Sequence, residues 1–333
     1  MNPVTTMQGA RLLRYGTPAD MPVQEVEVPA LQPGQVLIRM AYASINPSDL
    51  AFLSGQYGIK KKLPAVPGFE GSGTVVASGG GWGRFLVGRR VACASSSGDG
   101  TWAQYMVADA KGCIPLRRSV SLEQGSSLIV NPMTAVAMYD IFEKGRHGAL
   151  IQTVAASALG GMIRQLAAVN GRPVINIVRR DEQVNALEEQ GAQYVLNSTA
   201  PDFERKLAVL ARKLQATMAV DAVGGALTQQ LVGCMPAFST VLVYGGLSGE
   251  ACALSPGLLI FKEAQLRGFW LSLWLQKQSP FSLMRLGWSV QKHLAGELKT
   301  EVRRIYPLTE IHAAIEDYSR QMSGGKVLIN CNP

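Results

Sequence analysis

The sequence predicts an α/β protein of two domains, one of them a doubly wound parallel sheet. Two textures in the chain carry this. From about residue 129, short apolar runs alternate with amphipathic segments, which is the pattern of parallel strands joined by helical crossovers. The first third is instead a series of short strand-like runs broken by Gly and Pro, as in a compact antiparallel barrel. The last segments return to that first texture, which places them with the first domain.

In chain order, the strand-like runs of the first part are QVLIRMAYAS (35–44), GTVVAS (73–78), RRVACA (89–94) and TWAQYMVA (101–108), with LQPG and SSSGDG as turns. The alternating part begins with ALIQTV, the small-residue turn AASALGG, the helix-like MIRQLAAVNG and the apolar PVINIV, which together make a βαβ unit. It continues as DEQVNALEEQG (helix), AQYVLN (strand), PDFERKLAVLARKL (helix), ATMAVDAV (strand), GALTQQLVGCM (helix) and STVLVYGG (strand). The apolar QLRGFWLSLW reads as an edge strand, and FSLMRLGWSVQKHL as a long amphipathic helix. The tail runs VRRIYPL, EIHAAIEDYSRQM and KVLINC: strand, helix, strand. The expected domains are therefore 1–128 with 299–333, and 129–298.

The 333 residues are 47% hydrophobic and 17% charged, enough apolar material for two cores. The richest apolar stretch, Leu258 to Leu275, is broken by Lys262, Glu263 and Arg267, so no membrane span is expected. The N-terminal segment lacks an apolar signal-peptide core, and the expectation is a soluble cytoplasmic protein. Five cysteines without CxxC spacing argue against a disulfide framework or a structural zinc site, and three scattered histidines do not suggest a metal centre. The net charge of +8 is divided evenly between the two parts of the chain, unlike a nucleic-acid footprint, and suits anionic small ligands or simple solubility.

The turn Ala155–Gly160 stands where a dinucleotide pyrophosphate meets a helix N-terminus. It has one glycine at a motif position, and small residues otherwise leave the backbone open to phosphate. About twenty residues further, an acidic side chain would bind the 2′-hydroxyl of NAD, whereas arginine suits the 2′-phosphate of NADP. Arg179 and Arg180 stand there. The prediction is an NADPH site; the competing reading is an ordinary crossover with solvated arginines.

The motifs INPSDL (45–50), GQYGIKKKLPAVPGFEG (55–71), NPMTA (131–135), AASALG, INIVRR (175–180), VYGGL (243–247), LRGFWLSLW (266–274) and GGKVLI (324–329) run in order through the whole chain. On them the sequence resembles the medium-chain dehydrogenase/reductase superfamily. It is most similar to its zinc-free branch of quinone oxidoreductases and 2-enoyl thioester reductases, with the mitochondrial type nearest. The resemblance implies a GroES-like barrel-type catalytic domain and a Rossmann nucleotide domain. Zinc enzymes of the superfamily have Cys where this chain has Asn46, and Gly-His-Glu where it has Gly68, Phe69 and Glu70. Two metal ligands are thus replaced by an amide and a phenyl ring, and no catalytic zinc is expected.

The resemblance also implies a set of cofactor residues. Asn131 and Thr134 would meet the nicotinamide-ribose side, and the amides of Ala156, Ser157, Ala158 and Leu159, with Gly160, the pyrophosphate. Arg179 and Arg180 would clamp the 2′-phosphate. Tyr244, Gly245, Gly246 and Leu247 would lie at the crevice, Phe269, Trp270, Leu271 and Ser272 along the nicotinamide, and Lys326 would approach from the tail. Tyr244, Phe269 and Trp270 read equally well as core aromatics. Two departures stand out: Ala158 replaces a common Gly, and GAQYVLNS carries Ser198 where quinone reductases tend to have Tyr.

Tyr57 is the candidate catalytic acid. Enoyl reduction leaves an enolate that needs a proton at Cα, and a neutral phenol can supply it; the alternative is a tyrosine that shapes a glycine-flanked loop. Asn46 is the second catalytic candidate, either turning its amide toward cofactor or substrate or forming an Asx turn before Pro47. Lys60, Lys61 and Lys62 read as a solvated run or an attractor of substrate phosphates. The expected activity is NADPH-dependent, metal-free reduction of a C=C bond conjugated to a thioester or carbonyl, in a homodimer without nucleic-acid or membrane partners. Quinone reduction with the same cofactor, and non-catalytic NADPH binding, are the alternatives.

Overall fold

The computed structural model describes residues 4–16, 21–95, 98–294, 299–322 and 324–332. The chain divides into two units, 1–132 with 287–333, and 133–286. Residues 287–294 therefore belong to the first unit, not the second as expected. The helix Pro280–Leu294 is tied there by Gln291, which accepts from the Arg117 amide at 2.8 Å and donates to Pro115 O at 3.2 Å. The Arg117 guanidinium also lies 4.6 Å from the Trp288 ring centroid.

In the second unit, six parallel strands lie in the spatial order Tyr194–Asn197, Val174–Val178, Leu150–Gln152, Met218–Asp221, Thr240–Val243 and Gln265–Gly268. Counted along the chain this is 3-2-1-4-5-6, the dinucleotide-binding order, whose switch point falls beside the first strand. Val174–Val178 is buried at every position, which is why it reads as a continuous apolar run rather than an alternating one. Ile151, Ile175, Ala219 and Val241 form the core with Phe203 and Leu207 of the helix Phe203–Lys213. The outermost strand stops at Gly268, and Leu271–Gln276 is helical. The expected strand through Trp274 is thus half strand and half helix, because an apolar run of this length suits either state.

In the first unit, the ten-residue strand Gln35–Ser44 is the centre of a seven-stranded sheet. It pairs antiparallel with Glu70–Ser78, Tyr105–Asp109 and Lys326–Asn330. The C-terminal strand Lys326–Asn330 joins this sheet, and Val302–Pro307 runs parallel to it. The core gathers Trp102, Phe52, Ile38, Met40 and Val327, with Ile311 and Ile315 from the helix Ile311–Arg320 packed on it. Among the described residues no helix is long and apolar enough to cross a membrane.

Candidate active site

The second unit holds the predicted phosphate turn. Ser157 caps the helix Ala158–Val169, its Oγ accepting from the Gly160 amide at 3.1 Å. The Ser157 amide itself donates to Val154 O at 2.9 Å. Ser157 therefore serves through its side chain, and the expectation of a free amide there is corrected; the first-turn amides that neither the cap nor the helix itself uses are those of Ala158 and Leu159. A Cβ on Gly160 would lie 2.5 Å from the Ala155 carbonyl oxygen, so the backbone passes too close for any other residue. Arg164 holds the same carbonyl from behind and donates to Gln190 Oε1 at 2.8 Å. Sequence reasoning missed Arg164: its position one turn beyond the motif marks it only once the fold brings Ala155 and Gln190 beside it.

Arg179 and Arg180 are both exposed and directly follow the strand Val174–Val178, Arg180 preceding the helix Asp181–Glu189. The turn is tied to this strand by the Ala155 amide, which donates to Ile177 O at 3.1 Å. At the ends of the next strands, buried Asp221 accepts from Thr153 Oγ1 at 2.9 Å and Thr228 Oγ1 at 2.7 Å. Burial, with the nearby Asp221 charge, pushes the Tyr244 phenol well up. The loop continues through Gly245, where a Cβ would meet Ala222 O at 2.7 Å, to exposed Gly246 and Leu247. Phe269, Trp270, Leu271 and Ser272 are half-buried, and the Phe269 amide donates to Val243 O at 2.8 Å.

In the first unit, Tyr57 is half-buried, its ring 4.8 Å from that of Phe69. Phe69 packs edge-on against Phe52, and Phe52 against Tyr15, each at 5.6 Å. The Tyr15 hydroxyl accepts from the Lys61 amide at 2.8 Å and donates to Lys61 O at 3.0 Å, fixing the loop after Tyr57. Lys61 is not a solvated charge: its Nζ donates to Ser95 Oγ at 2.8 Å, and burial pulls it down to about 8. Lys60 and Lys62 are exposed.

Asn46 departs furthest from expectation. It is fully buried, and its amide donates to Ser44 Oγ at 3.1 Å and Glu70 Oε1 at 3.0 Å, while Oδ1 accepts from the Lys326 ammonium. Its backbone amide donates to Asp49 Oδ2 at 2.8 Å, closing the start of the helix Pro47–Leu53. The amide is thus committed inside the protein rather than turned toward a ligand. Lys326 is likewise buried, with Nζ 3.8 Å from Glu70 Oε1, and does not reach outward as expected. Asn131 and Thr134 sit on the first two turns of the helix Val130–Lys144, half-buried and buried respectively.

The family model for the alcohol dehydrogenase GroES-like domain matches residues 32–118, and that for zinc-binding dehydrogenases matches 158–286. The mitochondrial enoyl-[acyl-carrier-protein] reductase of Mus musculus is 33% identical over 81% of this chain and 74% of its own length. The human enzyme of that name is 30% identical over 95% and 86%. The chain belongs to the medium-chain dehydrogenase/reductase superfamily. A Mesorhizobium loti protein assigned to the NADPH:quinone reductases superposes with a TM-score of 0.93 at 37% identity, covering 99% of this chain and all of that one. An enoyl thioester reductase from Candida tropicalis shares the fold, with a TM-score of 0.79 at 22% identity over 98% and 99% of the two chains.

The zinc of many members of this superfamily does not fit here. Among the described residues no three His, Cys, Asp or Glu side chains converge as a ligand set. The one carboxylate retained from the zinc pattern, Glu70, is occupied: Oε1 by Ser44 Oγ and Asn46, Oε2 by two backbone amides. This is the zinc-independent branch.

Proposed function

We propose that this protein is an NADPH-dependent reductase that adds hydride to a C=C bond conjugated to a thioester or carbonyl. The donor set of the second unit fits a phosphorylated dinucleotide. The turn lacks side-chain bulk at Gly160, orphan amides open the capped helix, and two exposed guanidiniums follow the second strand. The amides of Ala158 and Leu159 would hold the pyrophosphate, Gly160 giving close backbone approach because its own amide is spent on the Ser157 cap, while Arg179 and Arg180 would hold the 2′-phosphate, and Asn131 and Thr134 the ribose next to the nicotinamide. The nicotinamide supplies the hydride when bound.

The protein's own contribution to the chemistry is a proton. Tyr57 would carry it on its phenol, in a loop anchored by Tyr15 and packed on Phe69. Its hydroxyl would hydrogen-bond the substrate carbonyl or protonate Cα of the enolate left by hydride addition. The observation that carries the choice of acceptor is this anchored tyrosine, together with 33% identity to a mitochondrial enoyl-[acyl-carrier-protein] reductase. A quinone acceptor is the second reading, favoured by the 37% identity to the Mesorhizobium loti protein.

Two further expectations belong to this proposal. The exposed strand Gln265–Gly268 forms the free edge of the parallel sheet, and exposed Ile260 and Phe261 precede it; such an edge supports a homodimer paired there. Five free cysteines accord with a reducing, cytoplasmic setting.

The test is NADPH oxidation against a panel of 2-enoyl thioesters, enones and quinones, with Tyr57→Phe measured beside the parent. Loss of enoyl reduction by about tenfold or more is expected, at the low end of general-acid contributions. Equal turnover of the variant removes Tyr57 as the acid, and quinone-only turnover by the parent replaces the enoyl reading.

A further inference from the structure

We propose that Glu70 and Lys326 are a buried pair of positioning residues that hold the first turn of the helix Val130–Lys144, and with it Asn131. Resting on the cofactor site proposed above, this explains why a metal-free member of the family keeps a buried carboxylate that touches no substrate.

Glu70 is fully buried at the start of the strand Glu70–Ser78. Its Oε2 accepts from the amides of Ile129 at 3.1 Å and Val130 at 2.8 Å, at the positive end of a fifteen-residue helix. Its Oε1 accepts from Ser44 Oγ at 2.7 Å and Asn46 Nδ2 at 3.0 Å. Each carboxylate oxygen therefore has two donors, and a proton on either would displace one of them. A carboxylate at this depth is stabilised by a nearby cationic group, and the Lys326 side chain is the one beside it. The Ile45 amide donates to Val327 O at 3.2 Å, which sets the register that brings the Lys326 ammonium to Asn46 Oδ1 and within 3.8 Å of Glu70 Oε1. Three other ionisable groups face this pair: Asp49 from the helix Pro47–Leu53, Tyr318 from the helix Ile311–Arg320, and Cys93 from the strand Arg90–Ala94.

The chain of action is short. Lys326 places its ammonium beside Glu70; Glu70 holds the amides of Ile129 and Val130; the next residue is Asn131. Supporting groups of this kind fix a binding residue to within a fraction of an ångström, and their loss typically weakens binding by tens of fold.

The experiment uses the full chain as parent, Lys326→Met, and the double variant Glu70→Gln with Lys326→Met. NADPH dissociation constants are measured by fluorescence titration between about pH 5.5 and about pH 8.5, spanning the range in which an uncompensated buried carboxylate titrates. In Lys326→Met the affinity is expected to fall about tenfold at the acid end and to gain a titration that the parent lacks. That added titration is expected to vanish in the double variant and to persist when Asp49→Asn is combined with Lys326→Met instead, and the two results together assign it to Glu70 rather than to Asp49, which feels both charges. Hydrogen exchange at the Ile129 and Val130 amides is read alongside without cofactor. Faster exchange at low pH in Lys326→Met, with that added pH dependence absent in the double variant, is the expected outcome. Unchanged exchange at these amides overturns the proposal, as does an affinity profile of Lys326→Met that parallels the parent. A parent that does not bind NADPH refutes the cofactor reading instead, and the exchange result then decides the positioning claim by itself.

Discussion

A methyl group placed on Gly160 would lie 2.5 Å from the Ala155 carbonyl oxygen and 2.8 Å from Ala155 C and Cα. All three are backbone atoms, so no side chain can swing aside. Either the helix Ala158–Val169 shifts outward or the Val154–Ser157 turn opens, and Arg164 resists the second by holding that same carbonyl. Overpacking of this kind costs about 1–3 kcal/mol. At about 1.4 kcal/mol per tenfold, the loss spans about fivefold to about a hundredfold in NADPH affinity if the turn yields, and appears as lost thermal stability if it holds. The next residue supplies the control. A Cβ on Gly161 meets nothing nearer than Arg164 Nη2 at 3.9 Å, so Gly161→Ala keeps the turn and gains up to about 1 kcal/mol of helix propensity. The assay is isothermal titration with NADPH together with thermal unfolding of both variants. If Gly160→Ala binds NADPH as the parent does and unfolds at the same temperature, the close approach does not shape the site. If Gly161→Ala weakens binding equally, the effect is general to the helix and not to the turn.

Other outcomes follow from the same geometry. Replacing Arg179 and Arg180 together by Ala removes the two exposed guanidiniums after the second strand and should erase most of the preference for NADPH over NADH, a change of about tenfold or more from charge-assisted bonds; a preference that survives places the phosphate elsewhere. Burial raises the Asp49 carboxyl from 3.8 to about 7, opposed by amide hydrogen bonds from Asn46 and Phe69. The native state then holds a proton that the unfolded chain has released, so this contribution is fully present below 3.8 and is lost as pH rises through about 7. Asp49→Asn should flatten the fall in melting temperature between about pH 4 and about pH 7; an unchanged slope assigns that fall to other groups.

The parallel sheet was legible because its strands are buried on both faces. Val174–Val178 shows this most clearly, being apolar throughout except for Asn176, whose amide accepts from Gln152 inside the sheet at 2.7 Å. The turn before the helix Ala158–Val169 was legible from its run of small residues ending at Gly160, although composition gave no hint that the Ser157 amide is already used. Asn46 and Lys326 were misjudged because their partnership spans 280 positions. A lysine near a chain end reads as a solvated or ligand-seeking charge until strand pairing shows it entering a core. The edge segment was misjudged for a different reason: Phe269–Trp274 has no polar alternation to separate strand from helix, and only the end of the backbone ladder at Gly268 decides it.

The ammonium on Glu70 is covalently tethered to the polypeptide. A chelator has nothing to extract from this position, scarcity of trace elements cannot leave it empty, and no insertion machinery is needed to fill it during synthesis. The arrangement is also permanent, since a tethered charge cannot be exchanged for a different ion.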